Sequence, residues 1–142
     1  MERVIFMTER VVIVGGIRTP IGRFGGTLKN VSSGFLAAHV ITALLNKTGI
    51  HPEQVEEVIL GEVRQTTESS NVARVAAIRA NIPVEVPAFT INRLCASGMQ
   101  AIASGVQQIQ SGQAQIVIAG GTESMSNAPI NLRNSRYGEG NP

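Results

Sequence analysis

The sequence predicts an α/β fold built on a mostly parallel sheet, and two observations support that prediction. Short apolar runs rich in β-branched residues alternate along the chain with segments of helical periodicity. The connections between successive apolar runs are also longer than a dozen residues. Connections of that length join parallel strands through right-handed crossovers.

Four strands are predicted from apolar runs that end at glycine, proline or charged residues. The first is a nearly continuous β-branched run closed by two glycines, which is typical of a strand buried on both faces of a parallel sheet. In chain order, the four predicted strands lie within Arg10–Gly16, Val55–Val63, Ala88–Arg93 and Gln115–Ala119.

Three helices are predicted between these strands. The first begins at the N-cap candidates Ser32 and Ser33, runs to about Lys47 and is closed by Gly49. We expect its apolar stripe to face the core; the stripe consists of Phe35, Leu36, Val40, Ile41, Leu44 and Leu45. The second and third helices cover Val72–Ala80, with Asn71 as the N-cap, and Ala96–Gln110, with Gly112 as the stop.

The third predicted helix is unusually rich in alanine, serine and glycine. A glycine inside a helix costs up to about 1 kcal/mol relative to alanine, so its two glycines need a packing reason. We therefore expect this helix to lie in the middle of the protein, packed against more than the sheet.

The composition excludes several classes of protein. Of 142 residues, 15% are charged, fewer than in an average soluble domain, so we expect a second domain or a partner subunit to cover part of the surface. No apolar run approaches the ~20 residues that span a bilayer, and the first residues lack a signal-peptide layout, so we expect a cytoplasmic protein without membrane attachment. The basic residues are scattered and tryptophan is absent, which argues against nucleic-acid binding.

Cysteine and histidine usage excludes other kinds of site. A single cysteine, Cys95, allows neither an internal disulfide nor a cysteine-based metal cluster, and His39 and His51 lack metal-ligand spacing, so no metal is expected. We expect His39 to be a hydrogen-bonded structural residue within a helix and His51 to be an exposed turn residue. The loop over residues 17–29 lacks the glycine spacing of a dinucleotide site.

Cys95 lies where the third predicted strand passes into the third predicted helix. Functional groups of open α/β sheets gather at the carboxyl ends of the strands. A helix N-terminus carries unpaired N–H groups and a partial positive charge, which favour a thiolate and can stabilise an oxyanion. This position therefore suits nucleophilic acyl transfer, although a cysteine is more commonly buried and inert.

The segment Asn92–Ala101, which contains Cys95 followed by Ala-Ser-Gly-Met-Gln, resembles the nucleophile motif of the thiolases. This family contains the acetyl-CoA acetyltransferases and the 3-ketoacyl-CoA thiolases. Other segments resemble the family in the same order and spacing, so that the similarity covers nearly every residue after Met7. These segments are Val12–Val14, Arg18–Gly26, Gly61–Gln65, Asn71–Ala77, Ile82–Pro87 and Ala119–Pro129.

The resemblance implies roles for individual residues. Cys95 would be the residue that is acylated, with its backbone N–H in an oxyanion hole, while Gln65 would support the site. Asn92, Ser97 and Gly98 would frame the turn. Ser97 lacks the Gly-x-Ser-x-Gly surroundings of a serine nucleophile.

Glu123, which follows the fourth predicted strand, is a candidate general acid. A lone carboxylate in such a position is more often structural. No residue is assigned to cofactor binding.

The resemblance also implies a three-layer α-β-α thiolase-like fold, here an N-terminal half without its last strand. Substrates would be coenzyme A thioesters, with acetyl-CoA and CoA as reactants and no covalently bound cofactor. The full-length protein would be a homodimer or tetramer in which the third strand pairs across a two-fold axis. Residues 8–126 would form the incomplete N-terminal domain, residues 127–142 the start of the loop domain, and residues 1–7 an N-terminal extension.

This chain differs from the family in the other catalytic groups, which it does not contain. The family also uses a histidine that activates the cysteine, a second cysteine for proton transfer and an asparagine-held water, all of them in a second, similarly folded half. Neither His39 nor His51 matches the family's histidine. We therefore expect a fragment that is inactive by itself, and that is prone to aggregate through its open sheet edge and the unmatched face of its third helix.

Three other functions remain as alternatives at this stage. A condensing enzyme of the ketoacyl synthase type shares the fold and the nucleophilic cysteine, but the Cys-Ala-Ser-Gly-Met context and the Arg-Thr-Pro segment favour a thiolase. A non-catalytic binding or assembly module would not need a reactive Cys95. A dinucleotide-binding domain would be stabilised by NAD, which we do not expect.

Overall fold

The computed structural model of the protein describes residues 10–131 and shows an α/β fold. The helices are α1 (Ser33–Thr48), α2 (Val72–Arg79) and α3 (Ser97–Gln110), and the strands are β1 (Glu57–Gly61), β2 (Ala88–Ile91) and β3 (Val117–Gly121). Short 3-10 turns cover Pro52–Gln54 and Met125–Asn127. The expected extension over residues 1–7, and residues 132–142 of the expected loop-domain start, lie outside the described residues.

The three strands form one parallel sheet in the order β2-β1-β3, with helices on both faces. On one face, Val58, Leu60 and Ile118 join a buried cluster with the alanine-rich surfaces of α1 and α2. On the other face, the α3 residue Gly105 lies against Val117 of β3. This arrangement confirms the expected three-layer α-β-α fold.

Strand β1 is the centre of the molecule, since all five of its residues are buried. Helix α1 packs on α2 and buries Ala37, Ala38, Ile41 and Leu45 in the same cluster as β1. It ends at Gly49, whose φ of 71° provides the expected left-handed cap. The predicted apolar stripe of α1 is only partly right, because Phe35 is 57% exposed. Ile41 and Leu45 of the stripe are buried, whereas the ring of Phe35 lies at the surface beneath the Arg79 guanidinium, which is 4.0 Å from the ring centroid.

The prediction of a strand at Arg10–Gly16 is wrong. Within residues 10–131 this segment pairs with no strand, and its residues Val12, Ile13 and Val14 are 74%, 83% and 69% exposed. A strand needs a neighbour to satisfy its backbone groups. Gly15, Gly16 and residues 118–121 all line a groove of about 390 Å³.

The fourth predicted strand exists, but as β3 it begins two residues later and includes Gly120 and Gly121. The glycine ending allows close packing, because a Cβ on Gly121 would lie only 3.1 Å from the Cα of Gly98 in α3.

Helix α3 packs on the sheet with one face and leaves its other face open among residues 10–131, which agrees with the unmatched face expected of the third helix; its expected place in the middle of the protein stays a prediction. Only Ser97, Ala101 and Gly105 of α3 are buried, while Met99 is 77% exposed. The small residues of α3 let it approach the sheet closely, and its opposite face carries no second layer among residues 10–131. None of the helices in that range combines the length and the apolar character needed to cross a membrane.

The two histidines lie at the surface of the protein. His39 is exposed on α1, so the prediction of a structural helix histidine is wrong; it lies on the side of α1 that turns away from the alanine-lined contact. His51 is exposed ahead of the first 3-10 turn, as expected.

Candidate active site

Cys95 lies at the carboxyl edge of the sheet, after the end of β2 and two residues before α3 begins. It is exposed, and it is the only cysteine of the chain. The strand-to-helix position that the sequence predicted is therefore the position that the structure shows. The first N–H groups of a helix have no acceptor within it, so a group held at this end meets unpaired donors and a partial positive charge.

The turn that carries Cys95 has a strained backbone. The preceding residue, Leu94, has a φ of 51°, in the left-handed region that costs an ordinary residue roughly 1–2 kcal/mol. The side chain of Asn92 accepts a hydrogen bond from the Leu94 N–H at 3.0 Å. The buried Ser97 hydroxyl accepts from the Arg93 N–H at 2.8 Å and donates to the Leu94 carbonyl at 2.6 Å. These bonds agree with the expectation that Asn92 and Ser97 frame the turn.

Glycines bring the backbones of β1, β3 and α3 together beneath this turn. A Cβ added to Gly61, the last residue of β1, would lie 2.6 Å from the nitrogen of Gly98 and 2.7 Å from the Cβ of Ser97. The N-terminus of α3 therefore rests directly on the end of β1. Sequence reasoning named Gly61 only as part of a motif; its position at the end of a buried strand was the available signal.

Two carboxylates lie at the same edge of the sheet. Glu123, two residues after β3, accepts hydrogen bonds from the backbone N–H groups of Val63 at 2.8 Å and Arg64 at 3.3 Å. These contacts favour the structural role for Glu123 over the role of general acid. Gln65, expected to support the site, is exposed in the loop after β1.

The second carboxylate, Glu62, was missed by the sequence analysis. It is 1% exposed, and neither of its oxygens has a hydrogen-bond partner among residues 10–131. Burial raises the pKa of Glu62, the nearby Ser33 hydroxyl opposes that rise, and the charge of Glu123 adds to it. A charged residue directly after an apolar run was the only sign of it in the sequence.

The described residues place no histidine beside the candidate nucleophile Cys95. His39 lies on α1, across the sheet from α3, and His51 lies ahead of the turn that follows α1. In the same part of the chain, no group of three or more His, Cys, Asp or Glu side chains is arranged to hold a metal ion. Cys95 is an exposed thiol just ahead of a helix N-terminus, a position that suits attack on a thioester carbonyl.

The family model described as the thiolase N-terminal domain matches residues 11–140 of this chain. Among curated relatives, the acetyl-CoA acetyltransferase of Syntrophomonas wolfei is 51% identical over 132 residues, which are 93% of this chain and 33% of the relative. A probable acetyl-CoA acyltransferase of Staphylococcus epidermidis is 47% identical over 130 residues, which are 92% of this chain and 33% of the relative.

Solved structures agree with these relatives. The Bacillus anthracis acetyl-CoA acetyltransferase superposes with a TM-score of 0.90 at 46% identity, covering 93% of this chain and 34% of its own. The human mitochondrial 3-ketoacyl-CoA thiolase in complex with CoA superposes with a TM-score of 0.82 at 44% identity, covering 85% of this chain and 31% of its own. The chain thus spans about a third of the length of the proteins that it matches.

Proposed function

The chain belongs to the thiolase family, and on that premise we propose that it supplies the nucleophile for acyl transfer between coenzyme A thioesters. The reaction would form acetoacetyl-CoA from two acetyl-CoA molecules, or cleave a 3-ketoacyl-CoA with free CoA. The observation that carries the proposal is the position of Cys95, exposed and held by a framed turn at the N-terminus of α3.

The proposed reaction has two halves, with an acyl-cysteine between them. The Cys95 thiolate attacks the carbonyl carbon of the thioester, and the carbonyl oxygen becomes an oxyanion that receives a hydrogen bond from the Cys95 backbone N–H. In condensation, collapse of the tetrahedral intermediate expels the CoA thiolate and leaves the acetyl group on sulfur. In cleavage, the thiolate instead attacks the 3-keto carbon of the 3-ketoacyl-CoA; collapse breaks the bond between C2 and C3, leaves the shortened acyl group on sulfur and releases the acetyl-CoA carbanion, which takes up a proton. In condensation, a second acetyl-CoA loses a proton from its methyl group, and the resulting carbanion takes the acetyl group and releases Cys95. In cleavage, the thiolate of free CoA takes the acyl group and releases Cys95.

The groups that move protons in this scheme come from outside the described residues. We propose that the full-length form, meaning this chain together with the further two thirds that its relatives have, brings a histidine and a second cysteine to Cys95. The division into a domain over residues 8–126 and a loop domain that begins at residue 127 belongs to the same proposal.

The oligomeric state and the cellular location are also part of the proposal. The low share of charged residues, 15%, and the exposed face of α3 are consistent with a homodimer or tetramer. A cytoplasmic location is consistent with a lone, unpaired, exposed cysteine, since reducing compartments keep thiols free.

The reactivity of Cys95 separates this proposal from a non-catalytic assembly module. Because the chain has one thiol, its alkylation by iodoacetamide at neutral pH reports on Cys95 alone. We expect the folded chain to react faster than the same chain unfolded in urea, which serves as the free-thiol control. Equal rates would count against the nucleophile and favour the assembly module.

A further inference from the structure

The loops that follow the three parallel strands are joined by hydrogen bonds at the carboxyl edge of the sheet. Glu123, in the loop after β3, binds the loop after β1: its carboxylate accepts from the Val63 N–H at 2.8 Å and from the Arg64 N–H at 3.3 Å. Two backbone donors thus converge on one side chain. An ionised carboxylate only accepts hydrogen bonds, which suits it to this position.

The peptide unit between Val63 and Arg64 is held from both ends. Its N–H, from Arg64, points to Glu123, and its carbonyl, from Val63, accepts from the Asn92 side-chain N–H at 3.0 Å. Asn92 belongs to the loop after β2, and its side-chain oxygen accepts from the Leu94 N–H at 3.0 Å. A continuous chain of hydrogen bonds therefore runs from Glu123 to the residue that precedes Cys95.

Such a chain is cooperative, because each bond polarises the next one. The Glu123 carboxylate, by accepting from the Arg64 N–H, makes the Val63 carbonyl of the same peptide a stronger acceptor. Asn92 then donates more strongly to that carbonyl, and its side-chain oxygen accepts more strongly from the Leu94 N–H. The last acceptor in the chain holds Leu94 at a φ of 51°, a conformation that persists only where the surroundings enforce it.

From this geometry we infer that Glu123 is a positioning residue for Cys95, acting through the Val63–Arg64 peptide and Asn92. The inference rests on the proposed function in that Cys95 is taken as the nucleophile. Without Glu123, the peptide loses its fixed orientation, Asn92 loses its anchor, and Leu94 relaxes toward negative φ. Cys95 then leaves its place at the N-terminus of α3, and its reactivity falls toward that of a free thiol.

A double-mutant cycle on the single thiol tests this inference. The rate of Cys95 alkylation is measured for the chain, for Glu123→Gln, for Asn92→Ala and for the double variant, each checked for folding by circular dichroism. We expect Glu123→Gln to slow alkylation by about 3- to 10-fold, the net size of one ordinary hydrogen bond. In the Asn92→Ala background, the same replacement should change the alkylation rate by less than about twofold, because the chain of hydrogen bonds from Glu123 to Leu94 is already broken at Asn92.

The matched control is Ser124→Ala, which removes two neighbouring bonds of the same loop: the Ser124 hydroxyl donates to the Val31 carbonyl at 2.9 Å and accepts from the Asn127 side-chain N–H at 2.8 Å. This variant should lose stability but keep the alkylation rate. Where Glu123→Gln does not fold, Glu123→Asp enters the cycle instead, because it keeps the charge but is too short to reach both N–H donors.

Two results would overturn the inference: an unchanged rate in Glu123→Gln, or equal slowing by that replacement with and without Asn92. The second result would mean a general structural role. Slow alkylation of the unmutated chain, equal to that of a free thiol, would instead count against the proposed function, while the relative rates of the variants still report on positioning.

Discussion

Replacing Gly61 with alanine should push the N-terminus of α3 away from the end of β1. The added Cβ would lie 2.6 Å from the nitrogen of Gly98 and 2.7 Å from the Cβ of Ser97, and closer still to the Ser97 carbonyl carbon. Favourable contacts between carbon atoms lie at about 3.5–4.0 Å, so the helix would have to move by about 1 Å. The atoms that must move belong to a helix backbone and a buried serine, neither of which is a flexible chain end.

The expected cost follows from that overlap. Overpacking a well-packed core costs typically about 1–3 kcal/mol and occasionally more, and a clash with backbone belongs at the upper end of that range. We therefore expect Gly61→Ala to lower the free energy of unfolding by about 3 kcal/mol, a large share of the about 5–15 kcal/mol of an ordinary domain. Alkylation of Cys95 should slow as well, because the Ser97 bonds that frame its turn move with the helix.

Urea unfolding of the 142-residue chain, followed by circular dichroism, measures this cost. The matched control is Gly16→Ala, where an added Cβ has no heavy atom within 4 Å. Its free energy of unfolding should change by less than about 0.5 kcal/mol. A Gly61→Ala variant as stable as the control would refute the direct packing of the α3 N-terminus on the end of β1.

Two further variants probe the edge of the sheet and the cap of α2. Burial raises the pKa of Glu62 above its ordinary 4.5, so the folded chain should lose stability as pH rises from 4.5 through the raised pKa of the folded state. Glu62→Gln should not show this loss and should be more stable than the unmutated chain at neutral pH. Urea unfolding across pH checks this with the exposed Glu85→Gln as the control, and an equal loss of stability with rising pH in the two variants would contradict it. Asn71→Ala should lower the free energy of unfolding by about 1–2 kcal/mol, because the Asn71 side chain caps α2 and also donates to the β2 backbone. The control is Asn30→Ala at an exposed position, and equal urea midpoints for the two variants would contradict the role of the cap.

Local sequence signals predicted most of the elements. Gly49 and Asn71 marked a helix end and a helix start because left-handed caps and side-chain caps depend on single residues. The apolar run before Gly61 predicted the buried central strand, and the strand-to-helix junction placed Cys95 at the sheet edge. The expected frame around Cys95 also agrees with the hydrogen bonds of Asn92 and Ser97.

The errors concern features that depend on distant neighbours. The run Val12–Val14 has strand propensity, but pairing needs another strand beside it, and none within residues 10–131 pairs with this run. The stripe of α1 was predicted from helical spacing; Ile41 and Leu45 are buried as that spacing indicates, but Phe35 lies at the surface, where only contact with another part of the protein would cover it. The link from Glu123 to Asn92 joins three loops that are far apart in sequence, and no local pattern indicates it.

The central claim is that Cys95 carries the acyl group between two coenzyme A thioesters. Its most direct test is to incubate the full-length form with acetyl-CoA, quench with acid and map the acetylated peptides by mass spectrometry, with Cys95→Ala as the control. We predict acetyl on Cys95 alone, absent from the control and removed when free CoA is added before the quench. Acetyl at another residue, or none on the unmutated protein, would contradict the claim.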